Sequence, residues 1–243
     1  MKIDMMPGER IEELGGGVRV IQNPSGFCYG TDAVMLAGFV AAGSGDKLID
    51  FCTGTAIVPL LLSMRTPCGD MTGLEIQESV ADMAKRSVEL NDLGGRIRII
   101  NGDLRDCRTL FAAECADIVT CNPPYMKCNS GKQNACDSKT IARHEVCCTL
   151  EDVVKSAAYL LKTGGRFYLV HRPERLADAV GLMKQYRLEP KRMQLVHSRL
   201  EAAPSLVLLE GQKGRRSGLR VLEPALVKGV SEFIQNGGGN HGE

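Results

Sequence analysis

Asn122-Pro123-Pro124-Tyr125 directly follows the apolar run Ala116–Cys121 (ADIVTC). The two prolines fix the backbone and remove N–H donors, leaving carbonyls free to face a ligand. Asn122 adds a side-chain carbonyl and Tyr125 an aromatic face. The chemistry this suits is activation of an exocyclic amine on a nucleobase. Such an amine is a poor nucleophile because its lone pair is delocalised into the ring. Holding its two N–H groups on the Asn122 oxygen and the Pro123 carbonyl favours the pyramidal, attacking geometry and stabilises the charge that develops on nitrogen. One preorganised polar contact of this kind is worth roughly 10²–10³ in rate. Tyr125 can stack on the base, a contact worth about 1–3 kcal/mol. The plain alternative is a Pro-Pro turn beside a core tyrosine.

Three carboxylates precede this motif at the ends of apolar runs. Asp50 opens a turn through Gly54 to Ala56, of the strand–turn–helix kind that binds nucleotides where backbone N–H groups can approach closely. Cys52 and Ala56 stand where glycines are usual, and Cys52 is acceptable there only if its φ is not strongly positive. Glu75, 21 residues beyond Gly54, ends the next run and can accept two ribose hydroxyls. Asp103, after Asn101-Gly102, either accepts from an adenine amine or caps a helix.

The elements that must position these groups alternate from residue 47 to 171. Strands are expected at Lys47–Phe51, Met71–Ile76, Arg96–Ile100, Ala116–Cys121 and Arg166–Val170. Helices are expected at Ala56–Met64, at Gln77–Leu93, from Thr149 (as cap, with Asp152 in a capping box) to Leu161, and from Pro173 to about Tyr186. Gly164-Gly165 is expected to end the third of these helices. Such alternation implies a parallel sheet covered on both faces. Met193–Val196 and Leu206–Leu209 are too close for a helical crossover and are expected to pair antiparallel. The expected fold is therefore α/β, a Rossmann-like doubly wound sheet of seven strands with its last strand antiparallel. It forms one domain over residues 1–235, with a hairpin and helix extension over 1–45 and a flexible tail over 236–243.

The constellation resembles class I S-adenosylmethionine-dependent methyltransferases that modify amino nitrogens, whose hallmark is Asn/Asp-Pro-Pro-aromatic. The resemblance covers about residues 10–225. It implies that Asp50, Cys52 and Gly54 wrap the methionine part of S-adenosylmethionine. It also implies that Glu75 and Ile76 meet the ribose and Asp103 and Leu104 the adenine, with Asn122 adjoining. Gly30, Thr31 and Asp32 would lie over the cofactor. Within that superfamily the chain is most similar to bacterial tRNA1(Val) adenine-37 N6-methyltransferases. The supporting stretches are Ala142-Arg143-His144-Glu145, Arg172-Pro173-Glu174-Arg175-Leu176, and Pro190-Lys191-Arg192 with Val196-His197 and Leu209–Gly214. Cys52 in place of a turn glycine departs from the pattern, as does the chain after Leu222-Glu223-Pro224. The resemblance implies methyl transfer to N6 of a tRNA adenine by in-line displacement, with Asn122, Pro123, Pro124 and Tyr125 catalytic. The rivals are a protein glutamine amide, an rRNA guanine N2 or a DNA adenine as acceptor, and a silent RNA-binding protein of the same fold.

The composition is that of a soluble globular protein: 243 residues, 44% hydrophobic, 24% charged, net charge +1. That balance argues against a binder of nucleic acid over its whole surface. Local basic groups for tRNA phosphates are Lys127, Lys132, Lys139 and Arg143, with His144 placing the loop or the RNA. Lys213, Arg215, Arg216 and Arg220 form a second cluster. Ten cysteines without any C-x-x-C spacing read as free thiols, so no metal is expected. The absence of an apolar leader or membrane-length run points to the cytoplasm, as a monomer or homodimer.

Overall fold

The computed structural model describes residues 3–26, 28–125, 148–199, 201–227 and 229. A hairpin of β1 (Arg10–Gly15) and β2 (Val18–Gln22) opens the chain. Gly16 and Gly17, at φ +58° and +82°, make its two-residue turn, as a hairpin of matching twist requires. It packs on the later helix Glu78–Leu90 through Ile21 N–H donating to Ser87 Oγ at 2.9 Å. Helix α1 (Thr31–Phe39) follows, then β3 (Lys47–Phe51), α2 (Ile57–Arg65), β4 (Asp70–Glu75), α3 (Glu78–Leu90) and β5 (Ile97–Asn101). A 3₁₀ turn (Leu104–Asp106) and the short α4 (Cys107–Leu110) lead to β6 (Ala116–Cys121). Beyond it come α5 (Leu150–Leu160), β7 (Leu161–His171), α6 (Leu176–Gln185), β8 (Leu188–His197) and β9 (Pro204–Lys213), then the short β10 (Arg220–Val221) and β11 (Ala225–Leu226).

The main sheet runs β10-β8-β9-β7-β6-β3-β4-β5, with β11 also on β8. Strands β3 to β7 are mutually parallel, and β9 is antiparallel to both β7 and β8. Alternation along the strands divides the core. Leu48, Ile118, Tyr168, Val170 and Leu208 pack with α1 and α2 on one face. Ile49, Phe51, Val119, Phe167 and Leu169 pack with α5 and α6 on the other. The sheet is thus doubly wound, and its order reverses between β3 and β6, where ligands of open α/β sheets bind at the strand C-termini.

The Thr149–Asp152 capping box forms as expected. Three features differ from expectation. Helix α5 ends at Leu160 and β7 begins at once, so Gly164 and Gly165 lie inside a strand. They mark an irregularity in its pairing with β6. Gly164 has φ +85°, and a Cβ on Gly165 would meet the Lys162 carbonyl at 2.9 Å; this is glycine used for a bulge rather than for a helix end. The final strand pair extends well beyond its apolar centres, because polar ends still join the ladder. Finally, β10 and β11 add two short strands beyond the seven expected; two-residue pairings leave no periodicity to read. The 236–243 tail lies outside the described residues.

Candidate active site

The C-terminal ends of β3, β4, β5, β6 and β7 carry, in order, Asp50–Cys52, Glu75, Asn101–Asp103, Asn122 and His171. Parallel strands bring these positions to one edge of the sheet. After β3 the chain turns through Cys52, Gly54 and Ala56 at φ +54°, +56° and +66°. Two of the three are not glycine, and a left-handed residue with a side chain costs roughly 1–2 kcal/mol. The expectation that cysteine needs a φ not strongly positive is therefore overturned. Hydrogen bonds hold the turn regardless: Gly54 N–H donates to Glu75 Oε2 at 3.0 Å, and Thr53 N–H to the Leu74 carbonyl at 3.1 Å. The Cys52 thiol also packs with those of Cys121 and Cys148.

Asp50 is 1% exposed. Its Oδ1 accepts from Thr120 Oγ1 at 2.5 Å, while Oδ2 is buried without a hydrogen-bond partner. Burial pushes this carboxyl up to about 7, against the pull of the Thr120 and Thr53 hydroxyls and with help from the Glu75 charge. Burial also raises Glu75, whose oxygens accept from the Gln77 and Gly54 N–H groups. Asp103 caps the 3₁₀ turn: Oδ1 accepts from Arg105 N at 2.8 Å, and Oδ2 from Arg105 Nε at 2.8 Å and Nη2 at 2.5 Å. Burial raises Asp103, but the Arg105 hydrogen bonds and charge together outweigh it and hold the carboxyl below its usual range. Of its two expected roles, the cap is formed, and three of about four acceptor positions are taken. Ile76 is exposed beside Glu75, and Leu104 is buried.

Asn122 is half-buried, Pro123 buried, and Pro124 and Tyr125 half-buried. The Tyr125 hydroxyl lies 2.6 Å from Asp32 Oδ2 and 2.6 Å from the Asn122 side-chain oxygen. Burial and the Asp32 charge raise the phenol well above its ordinary value. Asp32 belongs to the first turn of α1, where Oδ1 accepts from Ala33 N–H at 2.9 Å. A Cβ on Gly30 would sit 2.7 Å from that oxygen, so a side chain there would displace the Asp32 carboxylate. Gly30 and Thr31 are exposed at the same helix start.

Two residues missed in the sequence frame the Tyr125 ring. His171 lies 5.2 Å from it between centroids, tilted 60°, and the Arg172 guanidinium carbon sits 4.9 Å above it. His171 is fully buried and its Nδ1 accepts from Arg172 N–H at 2.8 Å, which places the ring proton on Nε2, an atom with no hydrogen-bond partner. Burial, then the Arg175 and Arg172 charges, push this imidazole down to about 4. The signal available was Arg172-Pro173 directly after an apolar strand. Lys127, Lys132, Lys139, Arg143 and His144 lie outside the described residues. In the second basic cluster Lys213 is engaged by Glu114 at 3.0 Å and the Leu161 carbonyl at 2.8 Å, while Arg215, Arg216 and Arg220 are exposed. No helix among the described residues is long and apolar enough to cross a membrane.

No family model matches the chain. Among solved structures, a predicted O-methyltransferase from Agrobacterium tumefaciens superposes with a TM-score of 0.67 at 22% identity, covering 85% of this chain and 96% of that one. Geranyl diphosphate C-methyltransferase from Streptomyces coelicolor, in complex with Mg2+, geranyl diphosphate and S-adenosyl-L-homocysteine, does so at 0.53 and 14%, covering 75% and 78%. These likenesses establish the methyltransferase fold. Among curated proteins, the tRNA1(Val) (adenine(37)-N6)-methyltransferase of Porphyromonas gingivalis is 32% identical over 206 residues, 82% of this chain and 76% of that protein. The protein of the same name from Bacteroides thetaiotaomicron is 30% identical over 184 residues, 74% of each. Identity at this level, over this much of both chains and on a shared fold, makes the chain a member of the tRNA1(Val) (adenine(37)-N6)-methyltransferase family.

Proposed function

We propose that this protein transfers a methyl group from S-adenosylmethionine to N6 of an adenine in tRNA, at the adenine-37 position of tRNA1(Val). The observation that carries this reading is the position of Asn122-Pro123-Pro124-Tyr125 at the end of β6, next to β3 at the reversal of strand order. Bound there, S-adenosylmethionine supplies a sulfonium-activated methyl group. The residues fit such a cofactor. The buried, unpartnered Asp50 Oδ2 suits its ammonium. Glu75 stands at the end of β4, where the ribose would lie, and Asp103 keeps one acceptor position for the adenine amine. Cys52 does not open the turn, which speaks for a cofactor-competent protein rather than a silent one.

The Asn122 side chain and the Pro123 carbonyl accept the two N–H groups of the acceptor amine, turning its lone pair out of conjugation. The same carbonyls stabilise the positive nitrogen as the new bond forms. Tyr125 stacks on the base. The nitrogen then loses its proton readily to water, so no tuned base is required. The test is incubation with labelled S-adenosylmethionine and total tRNA from a strain lacking the gene, followed by nucleoside analysis. Label in N6-methyladenosine at one tRNA position is expected; label in a guanine, in protein or nowhere overturns the reading.

A further inference from the structure

The Tyr125 hydroxyl has one proton and faces two oxygens, each at 2.6 Å: Asp32 Oδ2 and the Asn122 side-chain oxygen. An ionised carboxylate can only accept, whereas an amide presents an acceptor on one side and donors on the other. The proton therefore goes to Asp32. The second contact is favourable only with Asn122 Nδ2 turned toward the phenol oxygen, which directs its Oδ1 away from Tyr125. The elevated phenol value keeps that proton in place. Asp32 itself is held by Ala33 N–H at 2.9 Å and by the room Gly30 leaves.

We infer that Asp32 is a positioning residue which, through the Tyr125 hydroxyl, fixes the orientation of the Asn122 amide so that its carbonyl oxygen faces the acceptor amine. The inference rests on the proposed amine chemistry, and it gives Asp32 a role in place of the cofactor contact that the resemblance implies. Without the carboxylate, the Tyr125 proton is free to bind Asn122 Oδ1. The amide then shows its N–H donors to an amine that itself needs acceptors. Losing Asp32 thus inverts the clamp rather than merely loosening it.

The test is a double-mutant cycle of Asp32→Ala and Tyr125→Phe on the full chain, with kcat, KM for tRNA and cofactor affinity read separately. In the wild-type background Asp32→Ala is expected to lower kcat about a hundredfold, with KM and cofactor affinity nearly unchanged. In the Tyr125→Phe background, which keeps the ring but has no proton to misdirect, it is expected to cost less than about threefold. Equal losses in both backgrounds, or a loss seen in cofactor affinity, would assign Asp32 to the cofactor and overturn the inference. A second reading needs no turnover: in wild-type protein the Asn122 side-chain amide protons should show NMR contacts to the Tyr125 ring protons ortho to the hydroxyl, and Asp32→Ala should abolish them. Their absence in the wild type overturns the inference even if methylation of tRNA is confirmed. Their presence with an acceptor other than adenine leaves the orientation intact while the proposed substrate fails.

Discussion

Glu75 Oε2 accepts the backbone N–H of Gly54 at 3.0 Å, across 21 residues of chain. One buried carboxylate thereby ties the end of β4 to the turn after β3. Glu75→Gln keeps the size but offers that N–H an amide, half of which is a donor. We expect it to lower stability by about 1–3 kcal/mol and to weaken S-adenosylmethionine binding at least about tenfold. Thermal unfolding and calorimetric titration check the two effects independently.

Asp50 gives a pH dependence with a definite sign. Its folded-state carboxyl is raised to about 7 by burial, while the unfolded value is about 4. Its contribution to stability is complete below the unfolded value and is lost as pH rises through the folded one, by up to about 4 kcal/mol. Asp50→Asn should therefore unfold at a higher temperature than wild type at pH 8, with the advantage shrinking toward pH 5. Addition of S-adenosylmethionine at pH 8 should stabilise wild type more than the variant. A pH-independent difference would show that Asp50 stays charged throughout.

Asn122→Ala removes the side-chain acceptor but leaves the proline-fixed backbone. Methyl transfer is expected to drop at least about a hundredfold with cofactor affinity nearly unchanged. Equal loss of both in a stopped assay and a titration would place Asn122 in cofactor binding instead.

The left-handed backbone at Cys52 separates two substitutions. Cys52→Val puts a β-branched residue at φ +54° and should cost about 2 kcal/mol or more, with weaker cofactor binding. Cys52→Gly suits that backbone and should retain both the fold and binding. Chemical denaturation of the two variants side by side decides; indifference to valine would mean the turn relaxes.

Lys132→Ala with Lys139→Ala should weaken tRNA binding most at low salt and flatten its dependence on salt. Filter binding over a salt series measures this, and a loss that does not vary with salt would rule out phosphate contact.

The strand ends that carry Asp50, Glu75, Asp103 and Asn122 are legible in the sequence because each follows a short apolar run, and the runs alternate with helical patterns. What joins the ends is not. The Tyr125–Asp32 contact spans 93 residues, and no local pattern announces a side-chain bond of that reach. His171 reads as the polar end of a strand, and only the packing around it reveals a neutral ring beside Tyr125. Arg105 reads as an ordinary surface cation, yet its fork and its backbone N–H occupy most of the acceptor positions of Asp103. Gly164-Gly165 carries the same letters as a helix stop, and only the pairing of β7 with β6 shows it to be a bulge.

The short β10 and β11 have a consequence for assembly. Arg220 and Val221 pair with Arg192 and Met193, and Ala225 and Leu226 with Val196 and His197. Leu222 and Val227 N–H groups add bonds to the Met193 and His197 carbonyls at 2.8 Å each. The outer border of β8 is thereby occupied by the chain's own backbone along most of its C-terminal half. An unpaired strand border is a template for fusing sheets from neighbouring molecules, and here that template is already filled. Two copies of this protein therefore cannot extend this sheet through the border at Arg192–His197.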